Sequence, residues 1–268
     1  MKSNNFVKPI ALTAILFITM VSGNTIPLEV GKISLNTIVI DAGHGGKDPG
    51  CLASDKITNE KEISLKIAKK LGKMLQDSIP GVKIIYTRNS DVFVPLWKRA
   101  SIANEAKADL FISVHCNAHQ ETSLRGVETY IMGLHKNEGN LAVSKRENNA
   151  ITLEDNYKDN SEYAGFDPNS DEGHIILSLY QNAYRSQSLK LAESIQTNVE
   201  KTKVSKNLGV KEAGFLVLWK TAMPSILVET GFLTNSTDKT YLVSETGQNK
   251  MATSIYKAVA NYKATLEK

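Results

Sequence analysis

The 268-residue sequence contains only two cysteines, Cys51 and Cys116, which is too few for a disulfide-rich scaffold. We expect Cys116 to be a small buried residue, with thiolate ligation or a bridge to Cys51 as open alternatives. No run of five basic residues occurs and the formal net charge is only +4, so a nucleic-acid partner is not expected. With 41% hydrophobic and 22% charged residues, the chain has the composition of a globular protein with a sizeable core.

The N-terminal apolar run is shorter than the ~20 residues that a membrane-spanning helix needs. It extends from Ile10 to Val21, follows Lys2 and Lys8, and precedes small residues that end at Gly23. This order is typical of a secretory signal peptide, here residues 1–23. We therefore expect a secreted or periplasmic protein that has no stable membrane span once the signal is removed.

Three apolar runs rich in β-branched residues each end in a side chain that can bind a metal or carry a proton. His44 follows the run Thr37–Ile40 and lies between glycines that permit a sharp turn, His115 ends a second run, and Glu229 ends a third. The C-terminal ends of parallel strands meet in one crevice of an open α/β sheet, so these side chains should converge. We predict a single-domain α/β fold with a twisted, mostly parallel sheet and helices on both faces.

A helix is predicted from about Glu60 to Gln76, with Asn59 as its N-cap. Glu60 lies three residues before Ile63, on the apolar face of this helix. A carboxylate that faces a core is costly unless it is paired or bound to a metal, whereas an exposed acid in a first turn is stabilised by the helix dipole. Because Glu60 comes just after the His44 loop, we favour the metal-ligand interpretation.

His44, Glu60 and His115 together make the three-ligand set of a catalytic zinc site, and nitrogen and oxygen donors in this mixture suit Zn²⁺ better than Mg²⁺ or Ca²⁺. We expect one zinc ion per chain. Glu229 is then left to take a proton from water and pass it to a leaving group, with a salt bridge as the alternative. Asp41, three residues before His44, either accepts a hydrogen bond from an imidazole or caps the turn.

The other histidines are given structural roles. His119 lies four residues after His115, but the pair spans a strand end and lacks the glutamate of the helical zinc motif, so a surface loop is expected. His135 and His174 are expected to be solvated. Arg88, after the second predicted strand, is expected to form a salt bridge or a helix cap.

Residues 133–173 form a polar insert with one predicted short helix, Asn140–Glu147. Irregular stretches of this length are usually lids, binding elements or disordered segments. Beyond the insert, one long amphipathic helix is predicted from Ile175 to about Lys203, followed by a short strand around Phe215–Leu218.

Several motifs together resemble a known family, from roughly Asn36 to the C-terminus. They are Ile38–Gly50, Glu60–Lys61, Ser113–Asn117, Arg125–Glu128 and Ser225–Phe232. These motifs are similar to those of the zinc-dependent N-acetylmuramoyl-L-alanine amidases of the cell-division type. The resemblance implies a zinc site of His44, Glu60 and His115, with Glu229 as the catalytic acid/base. It also implies cleavage of the amide between N-acetylmuramic acid and L-alanine in peptidoglycan, for wall remodelling and daughter-cell separation. Residues 24–35 are then a short lead and residues 36–268 the catalytic domain.

The resemblance further implies regulation through the insert. In cell-division members of the family, a helix blocks the site until an activator protein withdraws it, and a carboxylate of that helix can bind the zinc. By this resemblance Glu147 is the first candidate for the blocking carboxylate and Glu154 the second. The expected partners are peptidoglycan and an activator, and the chain itself is expected to be a monomer.

Two other functions compete with this one. The first is a zinc carboxypeptidase or deacetylase that acts on the same polymer. The second is a wall-binding or regulatory protein that has lost its metal, against which the complete ligand set and Glu229 argue.

Overall fold

The structure is a computed structural model that describes residues 35–179 and 183–266, and six strands of this part form one sheet. The strands are β1 (Thr37–Ala42), β2 (Lys83–Tyr86), β3 (Leu110–Asn117), β4 (Val127–Met132), β5 (Asn207–Ala213) and β6 (Ser225–Phe232). The helices are α1 (Glu60–Ser78), α2 (Leu96–Glu105), α3 (Glu138–Asn148), α4 (Asp171–Leu179), α5 (Arg185–Thr202), α6 (Leu216–Trp219), α7 (Ser236–Val243) and α8 (Glu245–Leu266). Three short 3₁₀ turns lie between α3 and α4, at Asn149–Leu153, Tyr157–Asp159 and Ser161–Tyr163.

The strand order is β2-β1-β3-β6-β4-β5, and the prediction of a mostly parallel sheet is confirmed. Strands β2, β1, β3 and β6 run parallel, β4 is antiparallel to β6, and β5 is parallel to β4. The reversal at β4 brings its first residues to the edge where β1, β3 and β6 end. Glu128 of β4 consequently lies opposite Glu229 of β6.

Side chains alternate between the two faces of the sheet, and both faces are covered by helices, as predicted. Ile38 and Ile40 of β1 join the cluster formed with α1, α5 and α8. Val39 joins the cluster on the other face, with α2, α6 and residues of the insert. Each fully buried aliphatic side chain of this kind contributes about 1.5–3 kcal/mol to folding.

Helix α1 begins at the predicted residue. Asn59 accepts a hydrogen bond from the backbone N–H of Glu62 at 3.1 Å, which satisfies one of the free donors of the first turn. The apolar stripe of the helix packs on the sheet through Ile63 and Ile67. Glu60, the first residue of α1, lies on this stripe and is fully buried.

The single helix predicted from Ile175 to Lys203 is wrong. The structure has two helices there, α4 and α5, and residues 180–182 lie outside the described part. The physical reason is that Leu177 of α4 packs on one face of the sheet, whereas Leu191 of α5 packs on the other. One straight helix cannot reach both faces.

The strand predicted around Phe215–Leu218 is also wrong, because these residues lead into the short helix α6. A four-residue apolar run is compatible with either a buried strand or a buried helical turn. The helix predicted within the insert is confirmed as α3, and the remainder of the insert folds into the 3₁₀ turns and the start of α4 rather than an open loop.

The predicted signal peptide, residues 1–23, and nearly all of the lead lie outside the described residues. Within the described part, none of the helices is long and apolar enough to cross a membrane.

Candidate metal centre

Three strands and one helix bring the predicted site residues to the same edge of the sheet. His44 follows β1, His115 lies near the end of β3, and Glu60 opens α1. His115 is paired in register with Glu229 of the neighbouring strand β6. The prediction that these side chains converge is therefore met by the geometry.

His44, Glu60, His115 and Glu147 form a buried group of four that could hold a metal ion, with their candidate ligand atoms all within 4.8 Å of one another. Oε1 of Glu60 lies 3.1 Å from Nε2 of His44 and 2.9 Å from Nδ1 of His115. Oε2 of Glu147 lies 3.1 Å and 3.0 Å from the same two nitrogens.

These spacings agree with coordination of a small cation. Neighbouring ligand atoms around a tetrahedral ion with bonds of ~2.0 Å lie about 3.3 Å apart. Nε2 of His44 and Oε2 of Glu147 are buried and have no hydrogen-bond partner among the described residues. Buried polar atoms without partners are rare in folded proteins, and a metal would satisfy both. The donor set present here thus suits a zinc ion.

The electrostatics of the group are compatible with a bound cation. Burial disfavours protonation of His115, but the carboxylates of Glu147 and Glu60 outweigh burial and raise its pKa to about 9. Burial opposes ionisation of Glu60, yet the neighbouring His44 holds the pKa of this carboxyl well below its usual range. Two carboxylates facing two imidazoles need positive charge between them, which protons or a cation can supply.

Close approach of backbone requires glycine on both sides of the centre. A Cβ on Gly43 would lie 2.4 Å from the ring of His115, and one on Gly50 would lie 2.6 Å from the ring of His44. His44 itself has a φ of 61°, in the left-handed region that non-glycine residues rarely adopt. The loop is therefore shaped around the two imidazoles.

Of the two roles left open for Asp41, a hydrogen bond to an imidazole is not seen among the described residues. Asp41 is buried beneath the site and accepts hydrogen bonds from Thr87, Ser113 and Arg99. It is Asp48 that bonds to His44, with Oδ2 2.8 Å from Nδ1. This contact fixes which ring nitrogen of His44 faces the metal centre and orients the ring.

Glu60 is held by two backbone donors. Its Oε2 accepts from the N–H of Cys51 at 2.9 Å, and its Oε1 accepts from the N–H of Cys116 at 2.8 Å. Both cysteines are free thiols, and Cys116 is fully buried, as expected. The cysteines thus contribute to the site through their backbone rather than through a disulfide.

Glu229 lies beside the group of four without joining it. The side chain is fully buried, its Oε1 lies 3.3 Å from Nη2 of Arg146, and its Oε2 has no hydrogen-bond partner among the described residues. Burial, reinforced by the negative charge of Glu147, raises the pKa of Glu229 well above its usual range. A carboxyl group in this environment holds a proton readily.

Helix α3 of the insert reaches the centre through two consecutive residues, Arg146 and Glu147. Arg146 donates to Oε1 of Glu147 at 2.9 Å and to the carbonyl of Ala118 at 3.1 Å. Glu154, the second candidate, lies elsewhere and accepts from the N–H of Leu96 at 2.8 Å and from the hydroxyl of Tyr163. Of the two glutamates, only Glu147 is in the group of four.

Sequence reasoning missed Asp48 and Arg146 and misjudged His174. His119 is exposed, as predicted, but His174 is buried against Asn148 rather than solvated. The positions of Asp48, four residues after His44, and of Arg146, directly before Glu147, are the only signals in the sequence that could have indicated their roles.

A mostly parallel sheet with buried histidine and glutamate side chains at its C-terminal edge defines an α/β domain with a group of residues that could hold a metal ion. A family profile described as N-acetylmuramoyl-L-alanine amidase matches residues 38–261. The chain belongs to this family.

Curated relatives and solved structures agree with the family match. The chain is 32% identical over 228 residues to the amidase AmiC of Neisseria meningitidis serogroup B, and the match covers 84% of this chain and 52% of the relative. It is 30% identical over 239 residues to AmiC of Escherichia coli O6:H1, with 88% and 55% covered. The chain thus spans about half the length of these curated relatives.

A solved structure of the CwlD amidase from Clostridioides difficile, in complex with the GerS lipoprotein, is similar with a TM-score of 0.63. The sequence identity is 26%, and the match covers 86% of this chain and 99% of that one.

Proposed function

We propose that the chain is a zinc-dependent N-acetylmuramoyl-L-alanine amidase, which hydrolyses the amide between N-acetylmuramic acid and L-alanine in peptidoglycan. The observation that carries the proposal is the buried group of His44, Glu60, His115 and Glu147 beside an unpaired oxygen of Glu229, in a chain of the amidase family.

His44, Glu60 and His115 would hold the ion, through Nε2, Oε1 and Nδ1 respectively, the atoms that converge at the centre. Zinc supplies Lewis acidity, which activates water and polarises the carbonyl of the amide. Asp48 keeps the ring of His44 in the required tautomer by accepting from Nδ1. The backbone donors of Cys51 and Cys116 keep the carboxylate of Glu60 in place.

Glu229 is the proton carrier of the proposed reaction. Its Oε2, which has no hydrogen-bond partner among the described residues, takes a proton from the attacking water. The same oxygen then donates the proton to the amide nitrogen, so that L-alanine leaves as a free amine. The remaining sugar carries the carboxylic acid, and the bond cleaved is the amide carbon–nitrogen bond.

In this proposal the observed arrangement is the blocked form of the enzyme. Glu147 lies against His44 and His115, and Arg146 lies against Glu229, so these two side chains would occupy the space that water and the amide need. Helix α3 must move before the amide can bind. A partner protein that acts on the insert supplies this movement, and the complex of CwlD with GerS is a precedent for an amidase with a protein partner.

The location of the substrate also determines the compartment in which the chain acts. Peptidoglycan lies outside the cytoplasmic membrane, so the chain acts as a secreted or periplasmic protein, in agreement with the signal pattern of residues 1–23. Wall remodelling and daughter-cell separation are the processes that this activity serves, with the chain acting as a monomer.

The experiment that tests the function is product analysis of defined muropeptides, with zinc and with a chelator. The amidase releases intact stem peptides and sugars that end in a lactyl group, and chelation stops the release. Trimmed stem peptides would instead indicate a carboxypeptidase, and acetate a deacetylase. Binding to the wall without any product, in protein freed of the α3 block by Glu147→Ala, would indicate a regulatory protein.

A further inference from the structure

Arg88 is a buried arginine that bonds almost entirely to backbone carbonyls. Only 3% of the residue is exposed. Its Nε donates to the carbonyl of Ala42 at 2.9 Å, and its Nη2 donates to the carbonyls of Gly43 and Lys61, each at 2.7 Å. The third nitrogen, Nη1, donates to the carbonyl of Ser90 at 3.1 Å.

These carbonyls belong to the two segments that carry metal ligands. Ala42 and Gly43 directly precede His44, and Lys61 directly follows Glu60. One guanidinium therefore joins the end of β1 to the first turn of α1. Ser64 and Lys61 of α1 also bond directly to this loop, at the carbonyls of Gly43 (3.0 Å) and Gly46 (2.9 Å), so Arg88 is one of three side chains that connect the two segments.

The contacts of Arg88 are not those of a charge pair, which corrects the salt bridge or cap expected from the sequence. Among the described residues, no carboxylate lies within ion-pair distance of Arg88, and Asp91 pairs with Lys61 instead. Burial of a cation without a carboxylate partner is unfavourable. This position uses the planar, forked arrangement of N–H donors in the guanidinium group and not only its charge. The ammonium group of lysine cannot reproduce this arrangement.

The turn that Arg88 holds is strained. His44 has a φ of 61°, and such a conformation in a non-glycine residue persists only when its surroundings impose it. Arg99 contacts the same turn and donates to the carbonyls of Ala42 and His44 at 2.8 and 2.9 Å. The carbonyls of three consecutive residues, Ala42, Gly43 and His44, thus accept hydrogen bonds from arginine side chains. Of these two arginines, only Arg88 also bonds to α1.

We propose that Arg88 is a positioning residue for the metal centre, which fixes the separation of His44 and Glu60 before the ion binds. The inference rests on the metal centre of the proposed function. A ligand pair that is already in place loses little conformational freedom on binding, so the affinity for the ion is higher.

The test measures zinc affinity of the full chain by competition with a chromophoric chelator, in wild type, Arg88→Lys and Arg88→Gln. Loss of groups that orient ligands typically lowers metal affinity about 10- to 100-fold, and this is the expected loss in both variants. The visible spectrum of the cobalt-substituted protein should also change in position and intensity, because the ligand geometry is altered. Both readouts are independent of turnover.

Leu75→Ala is the matched control. Leu75 is fully buried in the last turn of α1, far along the helix from Glu60, so its truncation destabilises the same element without touching the site. We expect this variant to keep the zinc affinity and cobalt spectrum of the wild type. If Arg88→Gln does not fold, Arg88→Lys, which keeps charge and most of the volume, still gives both readouts.

An affinity and spectrum of Arg88→Lys equal to those of Leu75→Ala would overturn the inference, because Arg88 would then contribute to stability only. Failure of the proposed function gives a different result. Protein freed of the α3 block by Glu147→Ala that binds zinc but releases no stem peptide would contradict the amidase activity and leave the role of Arg88 intact. Wild-type protein that binds no zinc would overturn both.

Discussion

Arg146 of α3 directs its guanidinium at Glu229, with Nη2 3.3 Å from Oε1 of the carboxylate. The adjacent Glu147 faces both imidazoles of the centre. The same helix turn therefore contacts both the proposed proton carrier and the imidazoles of the candidate metal centre. The polar character of these contacts means that α3 can leave without exposing much of the apolar core, since Val143 is its one apolar residue in the buried clusters.

Removal of the block should raise basal activity. Glu147→Gln loses charge-assisted contacts of about 1.5–3 kcal/mol, which corresponds to a rise of about 10- to 100-fold in the population of open sites. The measurement is the initial rate of stem-peptide release from purified peptidoglycan without any partner. Glu138→Gln is the control, because Glu138 is an exposed acid in the first turn of the same helix, and its rate should equal that of wild type. A Glu147→Gln rate no higher than this control would contradict the proposed block.

Asp48 and Asp41 should behave differently when their charge is removed. Asp48→Asn weakens the bond that orients His44, so we expect zinc affinity to fall about 10- to 100-fold with a modest change in stability. Asp41→Asn leaves Arg99 without its buried partner, so we expect a loss of about 3–5 kcal/mol of unfolding free energy. Chelator competition and urea denaturation on both variants provide the comparison. Equal effects on both quantities would refute this division of roles.

The environment of His174 makes the packing of α3 sensitive to acid. The amide of Asn148 is fixed, because its oxygen accepts from the N–H of Leu216 and its nitrogen donates to the carbonyl of Gly214. That nitrogen lies 3.3 Å from Nδ1 of His174, which must therefore be unprotonated. Nε2 carries the hydrogen and donates to the carbonyl of Pro168 at 3.0 Å. If His174 were protonated to an imidazolium, its Nδ1–H would face the amide N–H of Asn148, and two donors would oppose each other.

Burial lowers the pKa of His174 below its ordinary value, with Lys145 and His135 acting in the same direction and Asp171 against them. The unfolded segment then takes up a proton first, so stability is complete above about pH 6.5 and falls as the pH drops below it. We expect α3 amides, corrected for intrinsic rates, to exchange faster at about pH 5.5 than at about pH 7.5. His174→Gln can keep both hydrogen bonds without titrating and should remove the difference. A difference that persists in this variant would assign the effect to another group.

The convergence of the candidate ligands could be predicted from the sequence, because each one lies at or near the end of a buried strand or opens a helix on its apolar side. His44, His115 and Glu60 all follow this rule, and the register of β3 with β6 adds Glu229. Asp48 was missed, because its contact with His44 depends on the tight loop in which Gly45 and Asp48 bond to each other's backbone.

Other residues escaped prediction because tertiary packing overrides local pattern. Asp41 has the right spacing in the sequence to reach an imidazole, but its carboxylate instead accepts a hydrogen bond from Arg99 of α2. His174 lies in a polar stretch and is nonetheless buried, because Phe166 and Asn148 pack against its ring. Leu177 and Leu191 pack on opposite faces of the sheet. The segment that periodicity predicted as one helix therefore forms two helices, α4 and α5.

The most direct measurement of the central claim combines zinc content with turnover in Glu229→Gln and in the wild type. We predict one zinc per chain in both proteins and loss of at least about 10²-fold in stem-peptide release in the variant, because Glu229 moves protons and does not hold the ion. Retention of wild-type turnover in Glu229→Gln, or wild-type protein that contains no zinc and still releases stem peptides, would contradict the account.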